Sequence, residues 1–153
     1  MIDLTKALVV YYSRFGNTEK IARAVVAGLQ SGGIDADFAN VDAVNLDDIS
    51  QIDLLCVGTP VHAWNISKPA KEFLERLKGL DSLSGKKAFA FDTKFKSRLA
   101  GSAGGKVEKK LKNLGFAIAK PAKSAIVLGN EGPLEEGAEE AFKKIGVELA
   151  GMM

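Results

Sequence analysis

Five apolar runs alternate with polar or amphipathic stretches, and this alternation limits the possible folds more than any other feature of the chain. The runs are Ala7–Tyr12, Ile34–Val41, Ile52–Gly58, Ala88–Phe91 and Ala117–Leu128. Between most of them, apolar side chains recur every three or four residues, as at Ile21, Val25 and Leu29, which is the period of a helix packed on a sheet. Strands and helices in this order predict a parallel sheet covered by helices on both faces.

Composition excludes several classes of protein. Hydrophobic residues make up 46% of the 153 residues and charged residues 26%, as in ordinary soluble chains. No apolar run approaches the roughly 20 residues that cross a bilayer, and the first residues lack a signal-peptide pattern. A single cysteine, Cys56, excludes an internal disulfide and is expected to be a small core residue. We therefore expect one domain over residues 1–153, in the cytoplasm, with no membrane or nucleic-acid partner.

The segment Ser13–Thr18 joins the first predicted strand to the first helix and is rich in hydroxyl, amide and glycine residues. Backbone N–H groups at a helix N-terminus are unpaired and favour an anion, and glycine lets a ligand approach closely. Ser13, Asn17 and Thr18 can each donate a hydrogen bond, while Arg14 adds positive charge. This segment is therefore predicted to hold a phosphate group.

Two further loops follow predicted strands and carry large aromatic residues. Thr59–Asn65 contains Trp64, the only tryptophan, and Asp92–Gly101 contains Phe95. In open α/β sheets ligands bind beyond the carboxyl ends of the strands, so these loops are expected to meet the phosphate loop. Aromatic side chains in two such loops favour a flat ring held by stacking.

With these three loops the chain resembles the flavodoxin family over nearly its whole length. The resemblance implies a flavodoxin-like α/β fold with a doubly wound, five-stranded parallel sheet in the order 2-1-3-4-5, and flavin mononucleotide (FMN) at the point where strand order reverses. It implies that the first loop wraps the phosphate, the second flanks the isoalloxazine ring, and the third covers the ring's other side. The implied cofactor-binding residues are Ser13, Arg14, Phe15, Gly16, Asn17 and Thr18, then Thr59, Pro60, Val61, His62, Ala63 and Trp64, and then Asp92, Thr93, Lys94, Phe95 and Gly101.

Two roles stay open in the third loop and the segment after it. Asp92 is expected either to accept a hydrogen bond from the flavin's pyrimidine edge or to cap its own loop. The segment Gly101–Val107 contains glycines and a lysine without the spacing of a P-loop. We interpret it as a flexible start of a helix, whose free N–H groups would bind an anion or close over the flavin. No catalytic or metal-ligating residue is predicted.

Two function classes fit the sequence. An electron-transfer flavodoxin would pass electrons between redox partner proteins, and the compact length favours it. An FMN-dependent reductase would act on NAD(P)H and a quinone or similar acceptor, and it is favoured by Phe15, by His62 and by a basic third loop. Residues 86–123 hold 11 Lys or Arg against 2 acidic residues, while the net charge of the whole chain is +2. If the fold gathers these cations on one face, that face would attract an anionic partner.

Overall fold

The computed structural model describes residues 5–62, 65–81, 83–96 and 102–153. The helices are α1 (Asn17–Ser31), α2 (Leu46–Ile49), α3 (Lys68–Leu77), α4 (Gly104–Asn113) and α5 (Ala138–Gly151). The strands are β1 (Lys6–Tyr11), β2 (Asp35–Asn40), β3 (Leu54–His62), β4 (Asn65–Ile66), β5 (Lys87–Phe95), β6 (Ala117–Ile118) and β7 (Lys123–Val127). In the described part of the chain, no helix is both long and apolar enough to cross a membrane.

The main strands form a parallel sheet in the order β2-β1-β3-β5, and β6 and β7 both pair with β5. Because β6 and β7 pair with opposite ends of β5, together they fill the fifth place, and the predicted order 2-1-3-4-5 is confirmed. The fifth strand is interrupted around Pro121, as expected of a residue that cannot donate a ladder hydrogen bond. The short β4 runs antiparallel to the end of β3.

The core lies on both faces of this sheet. Val9 and Val10, neighbours in β1, are both fully buried, and they belong to different clusters. Val9 packs in the cluster of α1 and α5, and Val10 in the cluster of α3 and α4. Cys56 is fully buried in the first cluster, where burial raises the pKa of its thiol. This residue is therefore part of the core, as predicted.

Helices α1 and α5 pack backbone against backbone, because each presents a glycine to the other. A Cβ atom added to Gly28 would lie 2.9 Å from the Cα of Gly146, and one added to Gly146 would lie 2.9 Å from the Cα of Gly28. Either would also clash with a backbone carbonyl oxygen of the facing helix, that of Lys143 or Val25. No side-chain layer separates the two helices here.

Several predicted boundaries were wrong. Strands β3 and β5 extend to His62 and Phe95, so much of the second and third predicted loops is strand. These residues are less apolar than those before them, but their backbones pair in register, with Thr59 beside Asp92. Helix α5 begins only at Ala138, because the backbone around Leu134 pairs with the end of β7.

Candidate functional site

A cleft of about 620 Å³ lies at the carboxyl ends of β1, β3, β5 and β7. This is the edge where strand order reverses, since β1 has β2 on one side and β3 on the other. The lining residues are Ser13, Arg14, Phe15, Asn17, Thr18, Pro60, Val61, His62, Thr93, Lys94, Phe95, Val127, Asn130 and Glu131. Eleven of the predicted site residues are therefore brought together here.

The N-terminus of α1 opens onto this cleft. Gly16 precedes the helix with φ of 92°, a left-handed conformation that favours glycine, and no side chain of the described residues caps the helix end. The hydroxyl oxygen of Ser13 accepts a hydrogen bond from the Gly16 N–H at 3.0 Å, so its proton can still be donated to a ligand. The helix dipole and the uncapped N–H groups of the first turn favour an anion at this position.

A hydrogen bond between a helix and a strand holds the floor of the cleft together. The hydroxyl oxygens of Thr18 and Thr93 lie 2.8 Å apart, and both side chains are buried. Thr18 belongs to the first turn of α1 and Thr93 to β5. The bond therefore fixes the first turn of α1 to β5, whose end also lines the cleft.

His62 forms part of one wall, at the end of β3. Its ring lies edge-on to that of Tyr12, with 6.3 Å between centroids. Partial burial lowers the pKa of His62, and the guanidinium of Arg14 lowers it further. The imidazole is therefore neutral at pH 7 and can accept or donate a hydrogen bond at the cleft.

Asp92 points away from the cleft, towards α4. One carboxylate oxygen accepts hydrogen bonds from the Ser102 hydroxyl at 2.9 Å, the Ala103 N–H at 2.9 Å and the Gly104 N–H at 2.7 Å. The other oxygen is buried and has no hydrogen-bond partner among the described residues. Of its two expected roles, the structure shows the cap. The expectation that N–H groups of the segment 101–107 are free was wrong for Ala103 and Gly104.

Thr59 and Gly16 also lie outside the cleft lining. Thr59 donates to the Ser67 hydroxyl oxygen at 2.8 Å, and its own oxygen accepts from the Ser67 N–H at 3.1 Å. Ser67 stands at the N-cap of α3, but its side chain makes no capping hydrogen bond. Thr59 and Ser67 are both fully buried, and their hydrogen bonds join the start of α3 to β3.

Comparison with known proteins identifies the family. The flavodoxin family model matches residues 9–145. A flavodoxin of Aquifex aeolicus is 30% identical over 164 aligned positions, which cover 95% of this chain and 85% of that protein. The chain belongs to the flavodoxin family.

Two other relatives bear on its activity and fold. An NAD(P)H dehydrogenase (quinone) of Cupriavidus metallidurans is 29% identical over 58% of this chain and 56% of that protein. The solved structure of a flavodoxin from the domain Archaea superposes with a TM-score of 0.83 at 24% identity, covering 96% of this chain and 97% of that one. The structural likeness, at this identity, shows the fold.

Flavodoxins are FMN-binding redox proteins, and FMN is the cofactor of this flavodoxin-family chain. The cleft offers chemistry that suits both parts of FMN. The uncapped start of α1 and the hydroxyls beside it suit a dianionic phosphate. The strand ends, with Pro60 and Val61 on β3 and Phe95 on β5, offer apolar surface for a flat ring.

The side of the cleft that follows the last strand, β7, was not predicted from the sequence. Val127, Asn130 and Glu131 follow the last strand and line the cleft. The same rule that selected the other loops, proximity to the carboxyl end of a parallel strand, would have found them. Gly132 in this turn has φ of 112° and packs against Asn17, since an added Cβ would lie 2.9 Å from the Asn17 side-chain oxygen.

Three predicted site residues, Ala63, Trp64 and Gly101, lie outside the described residues. Their proposed roles beside the flavin ring stay predictions. Among the residues that are described, no group of three or more His, Cys, Asp and Glu side chains is arranged to hold a metal ion.

Proposed function

We propose that this protein is an electron-transfer flavodoxin, which passes electrons between redox partner proteins with FMN as its redox group. The size of the cleft carries the proposal, because about 620 Å³ falls within the roughly 300–1,000 Å³ that one small ligand fills. The described walls are strand ends and short turns, which leave the bound group accessible from outside. A reducing compartment such as the cytoplasm suits its one cysteine, a buried thiol.

The chain's own residues bind and orient the cofactor. The first turn of α1, with Ser13, Asn17 and Thr18, holds the phosphate, and Arg14 adds positive charge at the rim. Pro60 to His62 and Thr93 to Phe95 flank the ring. When bound, FMN supplies the electron-transfer chemistry, and the protein contributes position and electrostatics.

Titration of the apoprotein with FMN, followed by flavin fluorescence, tests the cofactor site. We expect one-to-one quenching, and much weaker binding of riboflavin, because riboflavin lacks the phosphate that α1 receives. Equal affinity for FMN and riboflavin would contradict the phosphate role of the first loop, whatever the protein's redox function.

A reductase is the second candidate, and two observations favour it. The neutral imidazole of His62 lies at the cleft, where it could exchange a proton with a small acceptor. The Cupriavidus relative is a quinone dehydrogenase. Oxidation of NADPH by the purified holoprotein, with and without a quinone, separates the two: an electron carrier gives almost no turnover, whereas sustained turnover would make the protein an enzyme.

A further inference from the structure

Within the described residues, the outer edge of the cleft carries three cations that form no ion pair. Arg14 and Lys94 line the cleft, and Lys96 lies just beyond it, exposed, after the end of β5. None of the three forms an ion pair with a residue in the described part of the chain, although three such pairs form elsewhere. Their charge is therefore available to an incoming molecule.

The charge around the cleft is uneven. Glu131 is the one acidic side chain that lines it within the described ranges, and it comes from the turn after β7. Cations thus occupy the sides formed by the ends of β1 and β5, and the acid occupies the side that follows β7. A partner with a matching uneven charge would be held in one orientation.

Large apolar side chains stand exposed among these cations. The exposed fractions are 46% for Phe15, 40% for Phe95 and 64% for Leu128. Phe95 pairs with Val127 across the sheet, so Leu128 emerges beside it. The guanidinium of Arg14 lies 5.1 Å from the centre of the Phe15 ring. Exposed aromatic residues and arginine, surrounded by charge, are typical of protein interfaces.

We propose that this rim surface, formed by Arg14, Phe15, Lys94, Phe95, Lys96 and Leu128, is the docking surface for an acidic electron-transfer protein. The inference rests on the proposed carrier function and specifies the charge of the partner. A protein is the occupant, because Lys96 and Leu128 lie outside the cleft that the cofactor fills and continue the rim beyond the four residues that line it. The cations steer an acidic face towards the cleft, and the apolar side chains are covered when it docks.

The charge of the preferred partner can be tested with two forms of one electron acceptor. Native cytochrome c is basic, and succinylated cytochrome c carries carboxylates in place of many lysine ammonium groups while keeping the same haem. Each haem iron(III) takes one electron from the dithionite-reduced holoprotein and becomes iron(II). At low salt we expect the succinylated form to react about tenfold faster or more, a difference that falls as salt screens the charges.

The variant Lys96→Glu tests the location of the docking surface. Lys96 lies outside the cleft lining, so FMN binding is expected to be unchanged. The rate of electron transfer to succinylated cytochrome c should fall about three- to tenfold. The affinity should fall with it, as measured by calorimetry between the oxidised holoprotein and the oxidised acceptor, where no electron moves. Lys112→Glu is the matched control, since Lys112 is exposed near the C-terminal end of α4, far from the cleft, and its loss changes net charge equally.

The outcomes separate the two proposals. Failure of the protein to load FMN would overturn the carrier function before any acceptor is added. If the holoprotein loads FMN but prefers native cytochrome c, or if Lys96→Glu and Lys112→Glu have equal effects, the rim surface is not the docking site. An effect of Lys96→Glu on NADPH affinity, without one on the acceptor, would assign the rim to a small anion and also overturn the proposal.

Discussion

Helices α1 and α4 begin at the same edge of the sheet, yet their N-termini are satisfied in opposite ways. At α4, the buried carboxylate of Asp92 accepts two backbone N–H groups. At α1, Gly16 precedes the helix, and no side chain of the described residues caps it. The first arrangement completes the helix within the protein, whereas the second leaves the same chemistry for a ligand. An unfilled helix end therefore marks the binding site more clearly than glycine content, which is high at both.

Breaking the α4 cap should have the largest effect. Asp92→Ala leaves two buried N–H groups without an acceptor, and we expect a loss of about 2–4 kcal/mol in the free energy of unfolding, measured in urea. Asp92→Asn is the control, because its amide oxygen can still accept these bonds, and it should cost clearly less. A loss below about 1 kcal/mol for the alanine variant would mean that the cap contributes little.

Exchanging glycine for alanine at the start of α1 and at the start of α4 should change the stability of the protein in opposite directions. Gly16 has a left-handed φ of 92°, so Gly16→Ala should destabilise by about 1–2 kcal/mol. Gly105, in the first turn of α4, is exposed, has no positive φ and has open space for a Cβ. Gly105→Ala should therefore stabilise by about 0.4–1 kcal/mol. Thermal unfolding measures the stability change in each variant. Melting temperatures that shift in the same direction would contradict the expected difference between the two helix starts.

Removing one serine hydroxyl at each helix start sharpens the difference in binding. Ser13→Ala should weaken FMN binding by about 1.5 kcal/mol, or roughly tenfold, because a hydrogen bond to a charged phosphate is lost. Riboflavin binding should not change. Ser102→Ala, which removes a hydroxyl bonded to Asp92, should leave FMN affinity as it was. Fluorescence titration decides this, and equal losses in both variants would indicate an indirect effect.

The smallest expected effect concerns His62. Burial lowers its pKa below 6.5 first, and Arg14 adds to this. As pH falls below about 6.5, the unfolded chain takes up the proton before the folded protein, so stability is full above that pH and declines down to the folded-state pKa. Arg14→Gln should raise the pKa of His62 only in part, as followed by NMR titration, because burial remains. Lys112→Gln should leave the pKa unchanged.

Much of the fold was predictable, because strand and helix periods are local properties of the sequence. The position of the segment Ser13–Thr18 at a cleft was equally predictable from its glycine and hydroxyl residues between a buried strand and a helix, and its binding of a phosphate stays a prediction. The ends of β3 and β5 were not, because residues such as Thr59 and Asp92 look like loop residues until the pairing of their backbones is known. The direction of the Asp92 side chain also depends on this strand. Side chains alternate along a strand, so Asp92 faces α4 while its neighbour Thr93 faces the cleft.

The close approach of Gly28 and Gly146 has a consequence for how this family member tolerates change. Where two helices meet through side chains, an altered core residue shifts one helix relative to the other. Here the spacing of α1 and α5 is set by backbone atoms, which every sequence shares. Substitutions among the surrounding apolar residues are therefore expected to leave α1, and the N-terminus that it presents to the cleft, in place. Within this contact, evolution has little freedom at two small residues and correspondingly more at the larger ones around them.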